Sequence, residues 1–313
     1  MAFAIPALAG SASSPTAAGK MVYTSTKDGQ ADIYSMDAFG KTVFNLTHDK
    51  TIGARTDVQP VWSPTGQYVA FERQYAKAGA DLMVVKSDGT QLHQLVPAMT
   101  PGVWNCHPAW SSHNIIYFTS NRDGNFELYS ILPNGTGLKQ LTRTSAPIQN
   151  LGPAVSRDGN FVVFYRAGLL PWGSTELFVL NVAKGVVTQL TWNFRGAGDS
   201  DPTWSPNGKQ IAFTSDRMGR DDIWMVNSNG RNAVQVTHRP PYMSTTMMQS
   251  NDVHPAFSPD GGRIAFVSTR TGATEIFTIG VPGSAAQPLR QITFDGAYKA
   301  NLSWQMPLPA LLP

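Results

Sequence analysis

The stretch from Asp199 to Val226 reads DSDPTWSPNGKQIAFTSDRMGRDDIWMV, and it decides the fold because the chain repeats it. A second clear copy, from Asp252 to Phe277, reads DVHPAFSPDGGRIAFVSTRTGATEIF. One proline anchors the register of each copy, at intervals of 48, 45, 49 and 53 residues: Pro60, Pro108, Pro153, Pro202 and Pro255. A period in this range is typical of a repeat architecture, in which each copy forms one supersecondary unit.

Each copy contains four short strand signals that are separated by turns. In the Asp199 copy, the β-branched and aromatic run from Ile211 to Ser215 indicates a strand. The dipeptides Asn207-Gly208 and Asn229-Gly230 supply the positive-φ positions that tight hairpins need. Four antiparallel strands per repeat, without helical periodicity, predict one blade of an all-β propeller.

The two ends of the chain complement each other. A partial copy from Met21 to Thr47 has only strands two to four, and Ala300 to Gln305 supplies a first strand. Within that segment Trp304 takes the repeat position of Trp62, Trp110 and Trp204. The sequence therefore predicts a six-bladed β-propeller whose last blade is closed by both termini, which leaves no open ring edge.

The repeat has a known counterpart. The shared run P-x-W-S-P-x-G-x-x-I-A-F-x-S-x-R-x-G-x-x-D-I-Y, ending in L-T, resembles the WD40-like (PD40) repeat of the TolB propeller family, and the resemblance extends from Lys20 to Met306. It implies a six-bladed fold in an exported bacterial protein that binds other molecules rather than transforming them. TolB proper has an additional α/β domain before the propeller, which this sequence does not encode. The resemblance therefore does not carry over particular partners.

Three repeat positions predict internal structure. The first-strand aromatic should pack between adjacent blades, with Val155 as its weakest copy. Three residues before each anchor proline stands an Asp or Asn, which we expect to bind backbone N–H groups. The Arg after strand two precedes an acidic residue on strand three, which predicts a salt bridge within the hairpin: Arg122 with Glu127, Arg217 with Asp222, and Arg270 with Glu275.

Composition and charge argue against several classes of protein. The net charge is only +3, and no Lys/Arg cluster predicts a nucleic-acid surface. The sequence contains no run of 18 apolar residues, so it predicts no transmembrane helix. The single Cys106 cannot form an intrachain disulfide.

The predicted organisation is an N-terminal tail (1–19), the propeller (20–306) and a Pro-rich C-terminal tail (307–313). Ala7-Leu8-Ala9 resembles a signal-peptidase site, although no basic region precedes it. Residues 1–19 are thus interpreted as an incomplete signal peptide or a tether to a partner. With the family resemblance, this predicts a periplasmic or extracellular protein.

Long loops fall on one face of the predicted disc. In an antiparallel four-stranded blade, connections between strands two and three and between blades share a face, here the long-loop face. Irregular loops on a rigid scaffold often bind ligands, and interface centres are rich in aromatic and Arg residues. The face-binding candidates are Trp104, Trp172, Trp192, Phe194, Arg195 and Tyr242. The alternative is that these rings only cover their own loops.

A second set of candidates lies one position before the anchor proline of each inner strand. This position is not uniform, and it is predicted to line the mouth of the central channel: Gln59, His107, Asp201, His254 and Asn301, with Gly152 as the sixth. His107, Asp201 and His254 are residue types that bind divalent cations. The same residues could instead hold channel water or a polar group of a partner.

Signatures of common enzymes are absent from the sequence: there is no G-x-S-x-G, H-E-x-x-H or phosphate-binding loop. The predicted function is therefore a non-enzymatic, protein-binding scaffold, with carbohydrate as a further partner class. One alternative is a polysaccharide lyase with a metal at the channel mouth, using His107, His254 and Arg195. The other is a structural protein that self-assembles through its apolar tails.

Overall fold

Hairpins built from the repeated strand signals make up the whole described fold. A computed structural model describes residues 19–48, 55–76, 78–98, 100–169, 174–193, 196–238, 250–284 and 288–306. Within these ranges the chain forms 24 strands and no helix. The described part therefore contains no helix that could cross a membrane.

The strands fall into six antiparallel units of four, numbered along the chain. Unit 1 contains β1 to β3 together with β24, and the later units follow in order: β1 (Lys20–Ser25), β2 (Asp32–Asp37), β3 (Phe44–Asn45), β4 (Arg55–Trp62), β5 (Tyr68–Tyr75), β6 (Gly79–Lys86), β7 (His93–Val96), β8 (Val103–Trp110), β9 (Ile116–Ser120), β10 (Glu127–Ile131), β11 (Lys139–Gln140), β12 (Gln149–Val155), β13 (Phe161–Ala167), β14 (Glu176–Asn181), β15 (Val186–Gln189), β16 (Asp199–Trp204), β17 (Gln210–Ser215), β18 (Asp222–Asn227), β19 (Val234–Gln235), β20 (Asp252–Phe257), β21 (Arg263–Ser268), β22 (Glu275–Gly280), β23 (Arg290–Gln291) and β24 (Lys299–Trp304).

Strand pairing confirms the predicted propeller arrangement. The last strand, β24, pairs with β1, so that Met21 lies opposite Trp304 and Ser25 opposite Lys299. The two chain ends therefore build one unit together. Units 2 (β4–β7) and 3 (β8–β11) are also joined, because β6 and β8 pair in parallel at Gly79 with Val103 and at Ala80 with Trp104. Counted as continuous sheets, the structure thus has five, of which one has eight strands.

The first-strand aromatics pack between units, as predicted. Trp62 lies in one cluster with Val22 and Ile33 of the unit before it and with Val69 and Phe71 of its own. Trp110, Trp204, Phe257 and Trp304 occupy equivalent clusters and are buried. The prediction that Val155 is the weak copy is consistent with its partial burial, since it packs only at the margin of its cluster.

A second repeated feature is polar. The Thr at the end of each L-T, V-T or I-T pair accepts a hydrogen bond from a backbone N–H of strand three, at 2.9–3.0 Å: Thr47, Thr142, Thr191, Thr237 and Thr293. All five are buried. The Thr side chain thus replaces a sheet hydrogen bond where the short fourth strand ends.

The repeated arginines contact a different partner from the one predicted. Arg122 donates to Asn105 Oδ1 (2.6 Å), Arg217 to both carboxylate oxygens of Asp199 (2.9 and 3.0 Å), and Arg270 to Asp252 (2.7 Å). These acceptors belong to the Asp/Asn position on the inner strand and are fully buried. Each guanidinium also lies over aromatic rings of its own unit. Arg thus neutralises the buried residue where it is Asp and donates a hydrogen bond to it where it is Asn.

Unit 1 reverses this charge pattern. Lys299 occupies the inner-strand position that holds Asp or Asn in the other units, and its side chain is fully buried. Its ammonium lies 3.0 Å from Glu275 Oε2, contacts Asp295, and donates to the carbonyl of Ala297 at 3.0 Å. A buried cation with two carboxylates therefore joins unit 6 (β20–β23) to unit 1.

Candidate functional site in the central channel

The residue before each anchor proline adopts a left-handed backbone conformation. The φ angles lie between 49° and 59° at all six positions: Gln59, His107, Gly152, Asp201, His254 and Asn301. Each lies where the inner strand loses register with its neighbour in a β-bulge. A bulge bends a strand and re-aims a side chain. We call these six residues the channel ring.

Side chains in this conformation cost about 1–2 kcal/mol each; glycine avoids the cost, and Asn and Asp reduce it by local hydrogen bonds. The channel ring nevertheless has a polar side chain at five of its six positions. All five are half-buried, whereas the residue that follows each of them is buried. The bulge thus recurs in every unit, but the hydrogen-bonding group that it places in the channel differs between units.

At the glycine position another residue fills the space. A Cβ on Gly152 would lie 2.5 Å from Cε1 of Tyr165, a residue of β13. Burial raises the pKa of Tyr165, and the nearby Asp201, Cys106 and Glu72 raise it further. Tyr165 therefore stays protonated at neutral pH and presents a phenol beside the ring.

A cavity of about 250 Å³ occupies the channel on one side of the ring. Its wall runs along each inner strand from the ring residue to the turn after the strand, as from Asp201 to Pro206. These turns connect strands one and two and lie on the short-turn face. The prediction placed the ring at a mouth on the long-loop face, whereas the cavity extends from the ring toward the opposite face. Its wall includes Trp62, Trp110, Trp204, Phe257 and Trp304.

Three ring residues are neighbours. His254 Nε2 lies 3.1 Å from Asn301 Nδ2 and 3.8 Å from Asp201 Oδ2. Asp201 also accepts hydrogen bonds from Ser200 and Thr214, each at 3.3 Å. His254 Nδ1 is buried without a hydrogen-bond partner among the described residues. This side of the ring therefore offers a carboxylate, an imidazole and an amide to one polar group.

His107 lies in a drier part of the ring. Burial lowers its pKa to about 4, which the charge of Asp201 only partly opposes. Its Nδ1 atom is buried and has no hydrogen-bond partner in the described part of the chain. His107 is consequently a neutral imidazole at pH 7.

Sequence reasoning missed the residues behind His107. Glu72 and Cys106 lie beside it, and one donor atom from each of the three lies within 4.8 Å of the others. Burial raises the pKa of Glu72 to about 7, against hydrogen bonds from Gln74 and from the backbone of His107. The group of Glu72, Cys106 and His107 contains neither Asp201 nor His254. The cation set predicted from the sequence, His107 with Asp201 and His254, therefore stays a prediction. No local motif signals Glu72, which comes from a different unit.

The face candidates divide into three groups. Trp192 is 64% exposed and follows the buried Thr191. Trp104 lies in β8 rather than in a loop, and it is half-buried where β6 pairs with β8. Trp172, Phe194, Arg195 and Tyr242 lie outside the described residues.

A repeat pattern identifies further exposed residues on the long-loop face. The position after the buried Thr is exposed in five units, and four residue types occur there: His48, Arg143, Trp192, His238 and Phe294. Phe294 is 75% exposed, and the nearby Tyr298 is 53% exposed. The buried Thr is thus the same in these units, whereas the exposed residue that follows it on the long-loop face varies.

The fold and the repeat have counterparts among known proteins. The family described as the TolB beta propeller domain matches residues 150–249. The crystal structure of TolB from Acinetobacter baumannii superposes with a TM-score of 0.72 at 17% identity, covering 92% of this chain and 67% of that one. The fold is a TolB-like β-propeller.

Two curated relatives are also named for TolB. A TolB homolog from Chlorobium luteolum is 35% identical over 167 residues, which are 52% of this chain and 34% of that protein. The Tol-Pal system protein TolB of Francisella tularensis subsp. mediasiatica is 28% identical over 213 residues, which are 68% of this chain and 47% of that protein. The TolB-like chain thus spans less than half the length of each relative.

An enzyme with this fold is also similar. An oligogalacturonate lyase in complex with manganese superposes with a TM-score of 0.55 at 15% identity, covering 88% of this chain and 74% of that one. At this identity the likeness shows the fold alone. A propeller fold by itself implies no particular function.

Proposed function

We propose that this TolB-like propeller is a protein-binding module of the periplasm that uses the long-loop face and the channel ring. The observation that carries the proposal is the ring itself. Five polar side chains stand at backbone positions where glycine would be less strained, and they converge on one channel. Backbone strain of this kind is characteristic of functional sites, at which the side chain contacts a ligand or a partner.

The exposed aromatics support the same surface. Trp192 and Phe294 occupy equivalent repeat positions on the long-loop face, and both are more than half exposed. Large exposed rings are characteristic of protein interfaces, in which they supply the central contact area. We propose that a partner covering this face inserts one polar side chain into the channel from the side opposite the cavity and so reaches His254, Asp201 and Asn301.

The relatives suggest the class of partner and the compartment. The name of the Francisella relative assigns that protein to a Tol-Pal system, and we propose that this chain contacts a protein of a system of that type in the periplasm. The net charge of +3 and the absence of a basic cluster agree with a protein partner.

Photo-crosslinking tests the surface. A photoreactive phenylalanine analogue replaces Trp192 or Phe294 on the long-loop face, or Phe44 or Val186 on the outer edge, where the native residues are 50% and 55% exposed. Purified Tol-Pal proteins of the same cell are the probes. We expect adducts from the first pair of sites. Adducts confined to Phe44 and Val186 would refute the proposed surface.

The two alternatives stay predictions from the sequence. The lyase alternative requires a resident metal and turnover of a polysaccharide, and it includes Arg195, which lies outside the described residues. Self-assembly requires the tails, and residues 1–18 and 307–313 are likewise outside them. Neither has an observation in the described structure that favours it over protein binding.

A further inference from the structure

Glu72, Cys106 and His107 meet at the boundary between units 2 and 3. Glu72 belongs to β5, whereas Cys106 and His107 are consecutive residues of β8. One donor atom from each lies within 4.8 Å of the other two. Glu72 and Cys106 are 2% and 5% exposed. A buried carboxylate and a buried thiol therefore lie beside a half-buried imidazole.

The bulge explains how neighbouring residues reach one point. Successive side chains of a regular strand point to opposite faces of the sheet. The pairing of β8 with β9 loses register between Cys106 and Ala109, and His107 has a φ of 53°. This break lets the thiol and the imidazole converge with Glu72, which a regular strand would prevent.

The hydrogen bonds of the cluster are unevenly satisfied. Glu72 accepts from Gln74 Nε2 at 2.8 Å and from the backbone N–H of His107. His107 Nδ1, in contrast, is buried and has no hydrogen-bond partner among the described residues. A buried polar atom without a partner destabilises a fold, and a metal ion is one partner that would satisfy it.

We propose that Glu72, Cys106 and His107 bind one Zn²⁺ ion. Thiolate and imidazole donors favour a borderline-soft cation, whereas Ca²⁺ and Mg²⁺ prefer oxygen donors throughout. On binding, the Cys106 thiol loses its proton to solvent, a zinc–sulfur bond forms, and no redox change occurs. Three protein ligands leave a fourth position, and His107 places it beside the channel cavity.

The proposed ion would also act as a clamp. In a tetrahedral zinc site the donor atoms lie about 3.3–3.8 Å apart. Binding would therefore hold the three donors at these separations, across the boundary at which β6 already pairs with β8. This site differs from the cation set predicted from the sequence, since it includes neither Asp201 nor His254.

Cobalt substitution tests the site directly. Co²⁺ is added to the full chain after chelator treatment, and the near-ultraviolet thiolate-to-cobalt charge-transfer band is followed. We expect one equivalent to produce the band, and Zn²⁺ to abolish it by displacement. The band should be lost in Cys106→Ser, and Glu72→Gln should weaken Co²⁺ binding by at least about 10–100-fold, the range for lost outer-shell partners.

His254→Ala is the matched control. His254 occupies the same repeat position as His107, also with a buried Nδ1, but lies outside the cluster. It should keep the band and the rise in Tm that Zn²⁺ gives the wild-type chain. Circular dichroism establishes that each variant is folded. The proposal is overturned if the folded wild-type chain gives no band, or if metal binding is lost in His254→Ala and kept in Glu72→Gln.

Discussion

The ring of Tyr165 occupies the space that a side chain on Gly152 would need, with Cε1 2.5 Å from the ideal Cβ position. Five units place their own polar side chain at this point of the channel, and unit 4 (β12–β15) places a phenol there from its second strand. All six units therefore contribute a polar group to the channel, although the ring residue of unit 4 is glycine.

This relationship predicts that Gly152→Ala destabilises the chain. The new Cβ would clash with Tyr165 and would also force alanine into the left-handed region, where strain costs about 1–3 kcal/mol. Gly124→Ala is the control, because Gly124 also has a positive φ but no atom lies within 4 Å of its Cβ position. Urea unfolding should show a larger loss for Gly152→Ala. Equal losses would show that Tyr165 does not fill this space.

Removing the buried cation of unit 1 should be strongly destabilising. Lys299→Met leaves Glu275 and Asp295 without the ammonium that they share. Breaking a buried pair in this way costs about 3–5 kcal/mol. Lys86→Met removes an ammonium from an exposed pair with Asp88 and should cost less than about 1 kcal/mol. If denaturant unfolding shows similar losses of unfolding free energy for both variants, Lys299 is not a stabilising buried cation.

Two equivalent glutamates should respond oppositely to pH. Burial raises the pKa of Glu127, but hydrogen bonds from Thr142, Thr144 and Asn150 outweigh this and bring it below the ordinary 4.5. Burial raises the pKa of Glu176, which has fewer donors, above 4.5. Ionised Glu127 thus stabilises the fold above pH 4.5, and this is lost as the pH falls through its folded pKa. Glu176 contributes below pH 4.5, and its contribution is lost as the pH rises through its folded pKa.

The test compares Glu127→Gln and Glu176→Gln with the wild-type chain by Tm between about pH 3 and 7, a range that brackets the ordinary carboxyl pKa. The deficit of Glu127→Gln should grow as the pH rises, and that of Glu176→Gln should shrink. Parallel curves for the two variants would refute the hydrogen-bond explanation.

The inter-unit aromatics should contribute according to their burial. Trp204→Ala removes a buried ring that also donates from Nε1 to the carbonyl of Ala154 in the preceding unit at 3.2 Å, and we expect a loss of about 3–5 kcal/mol. Val155→Ala, at the same repeat position, removes a half-buried side chain and should cost about 1 kcal/mol. Chemical denaturation measures both, and a larger loss for Val155→Ala would contradict the packing scheme.

The sequence was sufficient to predict the propeller and its closure, because both depend on a pattern repeated along the chain. Trp62, Trp204 and Trp304 recur with the blade period, and the period alone assigns them to equivalent places between units. The six positions of the channel ring could be aligned with one another for the same reason. Their left-handed conformation could not be predicted, since Gln59 and His107 show no local preference that announces a bulge.

Contacts between distant strands explain the remaining differences. Arg217 pairs with Asp199, 18 residues away on the inner strand, whereas spacing along the chain suggested Asp222. Cys106 and Glu72 come from different units, and no periodic signal connects them. Lys299 reverses the charge of its repeat position, and Glu275 and Asp295 pair with it there.

Glycine substitutions in the ring give the most direct test of the protein-binding account. His254→Gly and Asp201→Gly remove the side chains but relieve left-handed strain, so stability should stay within about 1 kcal/mol of the wild-type chain. The measurement is the calorimetric affinity of each variant, and of the wild-type chain, for the Tol-Pal protein that crosslinks from position 192 or 294. The account predicts at least tenfold weaker binding by both folded variants, about 1.4 kcal/mol. Unchanged affinity in both would contradict it.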